Sequence, residues 1–222
     1  LVLTQNAFVN DYGTIVNNGT ITVNAGTIRT KLPNGVITNN GGININANGR
    51  LINEKTINCL STSNINNKHQ IINSGTFSSY GTLTNDVVAS DSGVITNTGI
   101  FNNIINGLDS GVLNNNGIIY NQGTLTNSAK MYSIGYIKNY PNKTFTNNKI
   151  LKNNLNGILY NIGKISNSST GTFSNYSSLT NDSSIILDGD YINYKTGSLL
   201  NRSNLELKKN LFNYGTINNG NS

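Results

Sequence analysis

The chain has 222 residues, a formal net charge of +6 and a single cysteine, with charged residues at only 11%, against ~25% in an ordinary globular domain. Its 46 asparagines make up about one residue in five. A chain so poor in charged and apolar side chains forms a core only if the apolar residues recur at fixed positions, and one cysteine excludes an internal disulfide framework. No apolar run approaches the ~20 residues of a membrane-spanning helix, so no membrane insertion is expected. The lysines and arginines are scattered, with small excesses at 130–152 and at Lys208 with Lys209. Solubilising charge is the reading preferred for them, and no nucleic-acid partner is expected.

The first residues, LVLTQNAFVNDYGTI (1–15), already have strand character. From Gly13 onward a unit G-[TV]-[ILF]-x-N-x recurs, with coil starts near Gly13, Gly35, Thr56, Gly75, Gly93, Gly111, Ala129, Lys149, Gly171, Tyr191 and Leu211, about 18 to 22 residues apart. Three consecutive stretches keep an 18-residue interval: GTFSSYGTLTNDVVASDS (75–92), GVITNTGIFNNIINGLDS (93–110) and GVLNNNGIIYNQGTLTNS (111–128). The last stretch, LFNYGTINNGNS (211–222), stops in mid-repeat. Neither end shows a helix or a charged cap, so the segment is expected to continue into a longer solenoid or to stack end to end with copies of itself.

Within each unit the aliphatic residue alternates with polar neighbours, which is strand periodicity, and the N-x-G that follows supplies a corner. Helical repeats need longer runs without glycine and are excluded. Three short strands and three corners make one turn, and turns stacked ~4.8 Å apart pair as parallel β-structure with aliphatic columns inside. The expected fold is therefore all-β: one parallel β-solenoid over 1–222, three-sided, with about 18–22 residues per coil and eleven coil starts. A two-sided solenoid of about 14 residues per coil is the alternative. It is suggested by GILYNIGKISNSST (157–170) and GTFSNYSSLTNDSS (171–184). The regular run over 75–128 favours three sides.

Ile15, Ile21, Ile95, Leu113, Ile119, Leu125, Ile137, Leu159, Ile165, Phe173 and Leu179 are the expected core columns. Two residues after most of these aliphatics, or after their equivalents, stand Asn17, Asn85, Asn97, Asn115, Asn121, Asn127, Asn161 and Asn181. These are expected to stack as ladders in which each amide bonds its neighbours along the axis.

The unit [IL]-x-N-x-G-x-[IL] resembles the repeats of filamentous-haemagglutinin-type adhesins and other low-complexity β-solenoid surface proteins. The resemblance covers nearly the whole chain. It implies an elongated right-handed β-helix displayed outside a cell or on a virion surface. The chain departs from the adhesin pattern in its richness in Asn and scarcity of Ala, and that family's secretion domain is not among these 222 residues.

Candidate chemistry is sparse. Of nine carboxylates, Asp188 with Asp190 and Asp91 with Asp109 are the pairs that could face each other as a glycosidase requires, the second by stacking one coil apart. All four sit in Gly-adjacent turn contexts, where Asp bonds its own backbone, and no catalytic residue is assigned. Cys59 falls at an inward position and His69 at a corner, so no metal site and no cofactor are expected. The outward pairs Thr20 with Thr22, Thr82 with Thr84, Thr124 with Thr126 and Thr144 with Thr146 are what an ice-binding solenoid would repeat in rows. Outward Tyr120, Tyr160 and Tyr194 offer rings on which sugars stack. The expected function is a non-enzymatic structural or adhesive fibre component whose partner is itself, with surface glycans as further partners. A carbohydrate- or ice-binding solenoid is the alternative, and a polysaccharide-cleaving β-helix stands third.

Overall fold

The computed structural model describes residues 1–4, 7–88, 91–106 and 109–220. Among them there is no helix, and three parallel sheets of 11, 11 and 10 strands account for nearly all regular structure. The chain visits the sheets in strict rotation, as Val112–Asn115, Ile118–Asn121 and Thr124–Asn127 show, so each sheet is one face of a three-sided solenoid. The face holding Val112–Asn115 is called face one, and faces two and three follow in chain order.

Most four-residue strands bury their second and fourth side chains and turn the first and third outward, and the exceptions are chiefly at the two ends of the solenoid. The second position carries the apolar columns. Ile21, Leu113, Met131, Leu151 and Phe173 line face one, Ile95, Ile119, Ile137, Leu159 and Leu179 face two, and Phe101, Leu125, Phe145 and Ile165 face three. Phe77 and Phe101 stack with ring centroids 4.8 Å apart, which is the spacing between rungs. Ile15 is only half-buried: its strand, Thr14–Asn17, is the first on face three and pairs on one side alone, with Val36–Asn39.

The fourth position is polar and equally buried. On face two a single ladder runs from Thr30 through Asn53, Asn73, Asn97, Asn121, Asn139, Asn161, Asn181 and Asn201 to Asn219. Every amide in it donates toward the C-terminal neighbour, and a second bond usually runs from the same nitrogen to a carbonyl of the next strand in that turn, as from Asn73 to Ile100 O at 2.9 Å. Both polar ends of the face-two amides from Asn53 to Asn201 are thus satisfied, which is the condition for placing Asn inside. The other faces have interrupted ladders. Face one links Asn67, Asn85 and Asn115 and then Ser133, and face three links Asn17 to Asn39 and, above Cys59 and Ser79, Asn103 through Asn127 to Asn147 and Asn167. In the face-one column Tyr191 is buried edge-on against Phe173, and its hydroxyl lacks a hydrogen-bond partner among the described residues.

Turn length is less regular than the repeats suggest. Asn67 and Asn85 register at a separation of 18 and Asn139 and Asn161 at 22, and most turns fall within those limits. Asn73 and Asn97, however, are separated by 24, and Asn85 and Asn115 by 30. Two short antiparallel hairpins make the difference, one pairing Val87–Val88 with Asp91–Ser92 and one pairing Ile105–Asn106 with Asp109–Ser110. Each is spliced into an N-x-G corner, whose ends are held together by Gly93 N to Asp86 O at 2.6 Å and by Gly111 N to Ile104 O at 3.1 Å. The stretches 75–92 and 93–110 are therefore not single turns. Where the repeat leads one to expect third strands, the chain forms these hairpins, and the coil starts slip from face three at Gly75 to face two at Gly93 and face one at Gly111. Of the three stretches only 111–128 is one complete turn, and it sets Asn115 on Ser133 at a separation of 18. Asp91 and Asp109 lie on hairpins at different corners and do not stack, because the two insertions flank opposite edges of face one.

Candidate functional site

Apolar columns and amide ladders occupy the interior, so a side-on ligand meets only outward positions, and a continuous set of aromatic and charged ones lies on face two. Tyr120, Lys138 and Tyr160 occupy the third position of successive strands, so register alone makes them neighbours. Tyr136 stands in the parallel outward column, and Tyr140 opens the corner that follows. The Tyr120 ring meets Tyr136 edge-on at 6.3 Å and Tyr140 at 6.1 Å. Lys138 Nζ lies 4.6 Å from the centre of the Tyr140 ring and 5.6 Å from that of Tyr160, within the range of cation–π attraction. Partial burial pushes the Tyr136 phenol up, with Tyr120 and Tyr140 adding to the shift. Tyr160 donates its hydroxyl hydrogen to Asp182 at 2.6 Å, which raises its pKa, and Asp182 accepts from Arg202 at 3.2 Å. The strip crosses five rungs.

Beside the strip, at the corner between faces two and three, runs a trough of about 360 Å³ lined by Thr98, Ile100, Thr124, Asn142, Lys143 and the bare backbone of Gly99 and Gly123. Its floor is glycine for a steric reason: a Cβ on Gly123 would stand 2.2 Å from the Gly99 carbonyl oxygen. Its end wall comes from the corner YPNK (140–143), two residues longer than the QG (122–123) beneath it, with Asn142 in the left-handed region at φ 61°. The wall carries Lys143 out beside Tyr140.

A second aromatic group lies farther along, where Tyr176 and Tyr194 stack at 3.9 Å and 9°. An open groove of about 810 Å³ lined by Ile192, Tyr194, Lys195, Phe212 and Tyr214 adjoins it. Burial first, and Tyr194 second, push the Tyr176 phenol up to about 12.

Asn17, Asn85, Asn97, Asn115, Asn121, Asn127, Asn161 and Asn181 are all buried in the ladders. Thr124 and Thr126 register on Thr144 and Thr146, while Thr20 and Thr22 are separated from Thr82 and Thr84 by Gly42, Asn44, Asn64 and Asn66, so threonine pairs adjoin over two rungs only. Asp188 pairs with Lys208 at 3.1 Å and Asp190 with Lys209 at 3.5 Å, which ties both carboxylates to the next turn. Cys59 is fully buried, and its thiol is pushed up to about 12 by burial. Among the described residues no three His, Cys, Asp or Glu side chains gather as a metal site would require.

Sequence reading singled out none of Tyr136, Lys138, Tyr140 and Lys143. It takes the lysine excess at 130–152 as solubilising charge, although from Asp109 to Asp182 the chain has six lysines and no carboxylate between them. No protein-family model, curated protein or solved structure matches this chain.

Proposed function

We propose that the chain is a structural or adhesive segment of an extracellular or surface-displayed fibre, extended along its axis as part of a longer solenoid or by stacking of copies. The observation that carries this reading is the face-two ladder, unbroken and unidirectional from Thr30 to Asn219. Because every amide in it donates the same way, a further turn of the same kind added beyond Asn219 continues the ladder, whereas an inverted turn sets donor against donor. Parallel rungs supply the matching backbone edge, and the apolar columns run in step, with Leu199 on Ile217 in the last described rung of face two. The reading leaves catalysis aside, since Asp188 and Asp190 are engaged by lysines.

Joining two copies in tandem tests it. Eleven rungs at ~4.8 Å span ~50 Å. Small-angle scattering and electron micrographs of the tandem should show one straight rod of about twice that length, and purified single copies at high concentration should show rods of the same width. Two particles flexing about a hinge, together with single copies that never lengthen, would overturn the proposal. A carbohydrate-binding surface is the second reading, favoured by the Tyr120, Tyr136 and Tyr140 cluster.

A further inference from the structure

The central turns differ from the rest of the solenoid in charge. From Asp109 to Asp182 the six lysines, Lys130, Lys138, Lys143, Lys149, Lys152 and Lys164, meet no carboxylate within the segment. The ion pairs of the described residues lie outside this belt or on its border: Arg29 with Glu54 on one side, and Arg202 with Asp182, Lys208 with Asp188 and Glu206, and Lys209 with Asp190 on the other. A cationic belt without internal neutralisation concentrates anions at the surface. Within it, Lys143 lines the trough, and Lys138 lies over the ring of Tyr140, which opens the corner forming the end wall.

We propose that the trough and the adjoining part of the face-two strip, from Tyr120 to Tyr160, bind an acidic polysaccharide, one bearing carboxylate or sulfate groups, laid along the solenoid axis. The inference rests on the adhesive form of the function proposed above and names its ligand class. Three features fit that chemistry together. The phenol rings of Tyr120 and Tyr140 offer apolar faces for the C–H side of a sugar ring. Thr124 and Asn142 line the trough with a hydroxyl and an amide that exchange hydrogen bonds with sugar hydroxyls. Lys138 and Lys143 supply the cations for charge-assisted bonds to the acidic groups. The rung spacing, ~4.8 Å, is close to the length of one pyranose in an extended chain, so an axial polysaccharide meets equivalent positions on successive rungs. Single-stranded nucleic acid fits less well. Its bases need successive ring platforms facing the same way, whereas Tyr120 stands at 77° to Tyr136 and 78° to Tyr140.

The test is binding of the whole chain to four probes at low salt and at ~0.15 M ionic strength: a heparin octasaccharide, an oligogalacturonate, a neutral β-glucan octasaccharide and oligothymidylate. The two acidic saccharides separate sulfate from carboxylate recognition, and binding of either supports the proposal. Replacing both Lys138→Gln and Lys143→Gln should weaken acidic saccharide binding roughly tenfold or more, the scale of lost charge-assisted bonds. The control pair Lys55→Gln and Lys68→Gln, both outside the belt and its grooves, should leave it unchanged. Tyr140→Ser should weaken it independently of charge, and thermal unfolding should confirm that all variants are folded. Equal binding by the double variant, equal binding of the neutral glucan, or oligothymidylate bound as tightly with the same lysine dependence would each overturn the proposal. Straight rods that bind no saccharide would sink this inference and leave the fibre reading standing, and short particles that bind saccharide would do the reverse.

Discussion

Asn97 donates one amide hydrogen to Asn121 Oδ1 and the other to Thr124 O, both at 2.9 Å, in the interior between faces two and three. The side chain therefore bonds the turn above it twice, once through the ladder and once through the backbone. A residue normally depleted in strands becomes an axial connector here, because the parallel register repeats the same donor and acceptor on each rung.

Asn121→Leu removes one link of that ladder. Asn97 Nδ2 loses one of its acceptors and Asn139 Oδ1 its donor, both buried. At ~1–3 kcal/mol for each buried group left unpaired, the expected cost is about 3 kcal/mol, read as a lower urea midpoint. Asn121→Asp is worse at neutral pH. A buried carboxylate has a folded pKa above its unfolded ~3.9, so stability is lost as pH rises through that range and recovers toward pH ~4. Asn102→Ala on an outward position should change the midpoint little.

Leu125 is 1% exposed and registers between Phe101 and Phe145, whereas Thr126 beside it faces outward. Leu125→Asp should cost several kcal/mol or prevent folding, since it buries an unpaired charge in an apolar column. Thr126→Asp should cost under ~0.5 kcal/mol, as surface changes do. Equal effects on the thermal midpoint would contradict the inward and outward assignment.

Cys59, sealed between the Asn39 and Ser79 rungs, should resist a thiol reagent in the folded chain and react at the rate of global unfolding. Burial raises its folded pKa to about 12 from an ordinary 9.0. The folded state thus holds a proton that the unfolded chain releases, so its contribution is intact below pH 9.0 and is lost as pH climbs toward about 12. Cys59→Ala should flatten that part of the stability profile. A thiol that labels in seconds under native conditions would place it elsewhere.

Excising residues 87–92 brings Asp86 next to Gly93, which are already joined by a 2.6 Å bond, and leaves Asn-Asp-Gly at the corner. That is the N-x-G of the uninterrupted corners, so the deletion should leave a folded solenoid with a midpoint within a few degrees of the parent. Loss of the parallel β signature would show that the hairpin supports the turn rather than decorating it.

The sequence by itself determined the strand unit, the inward aliphatic column and the asparagine ladder, because alternation and corner chemistry act over a few residues and repeat visibly. It also identified GVLNNNGIIYNQGTLTNS (111–128) as one three-sided turn. Where the other turns close was decided only by tertiary pairing. Each hairpin insertion is six residues long, the length of one strand with its corner, so VVASDS keeps the sequence period while adding no rung. Neighbours on the outer surface depend on the same nonlocal register: Tyr120, Lys138 and Tyr160 meet because successive turns, of 18 and then 22, separate them along the chain. A local pattern specifies which way a side chain points, but only the stacking of complete turns specifies what stands beside it.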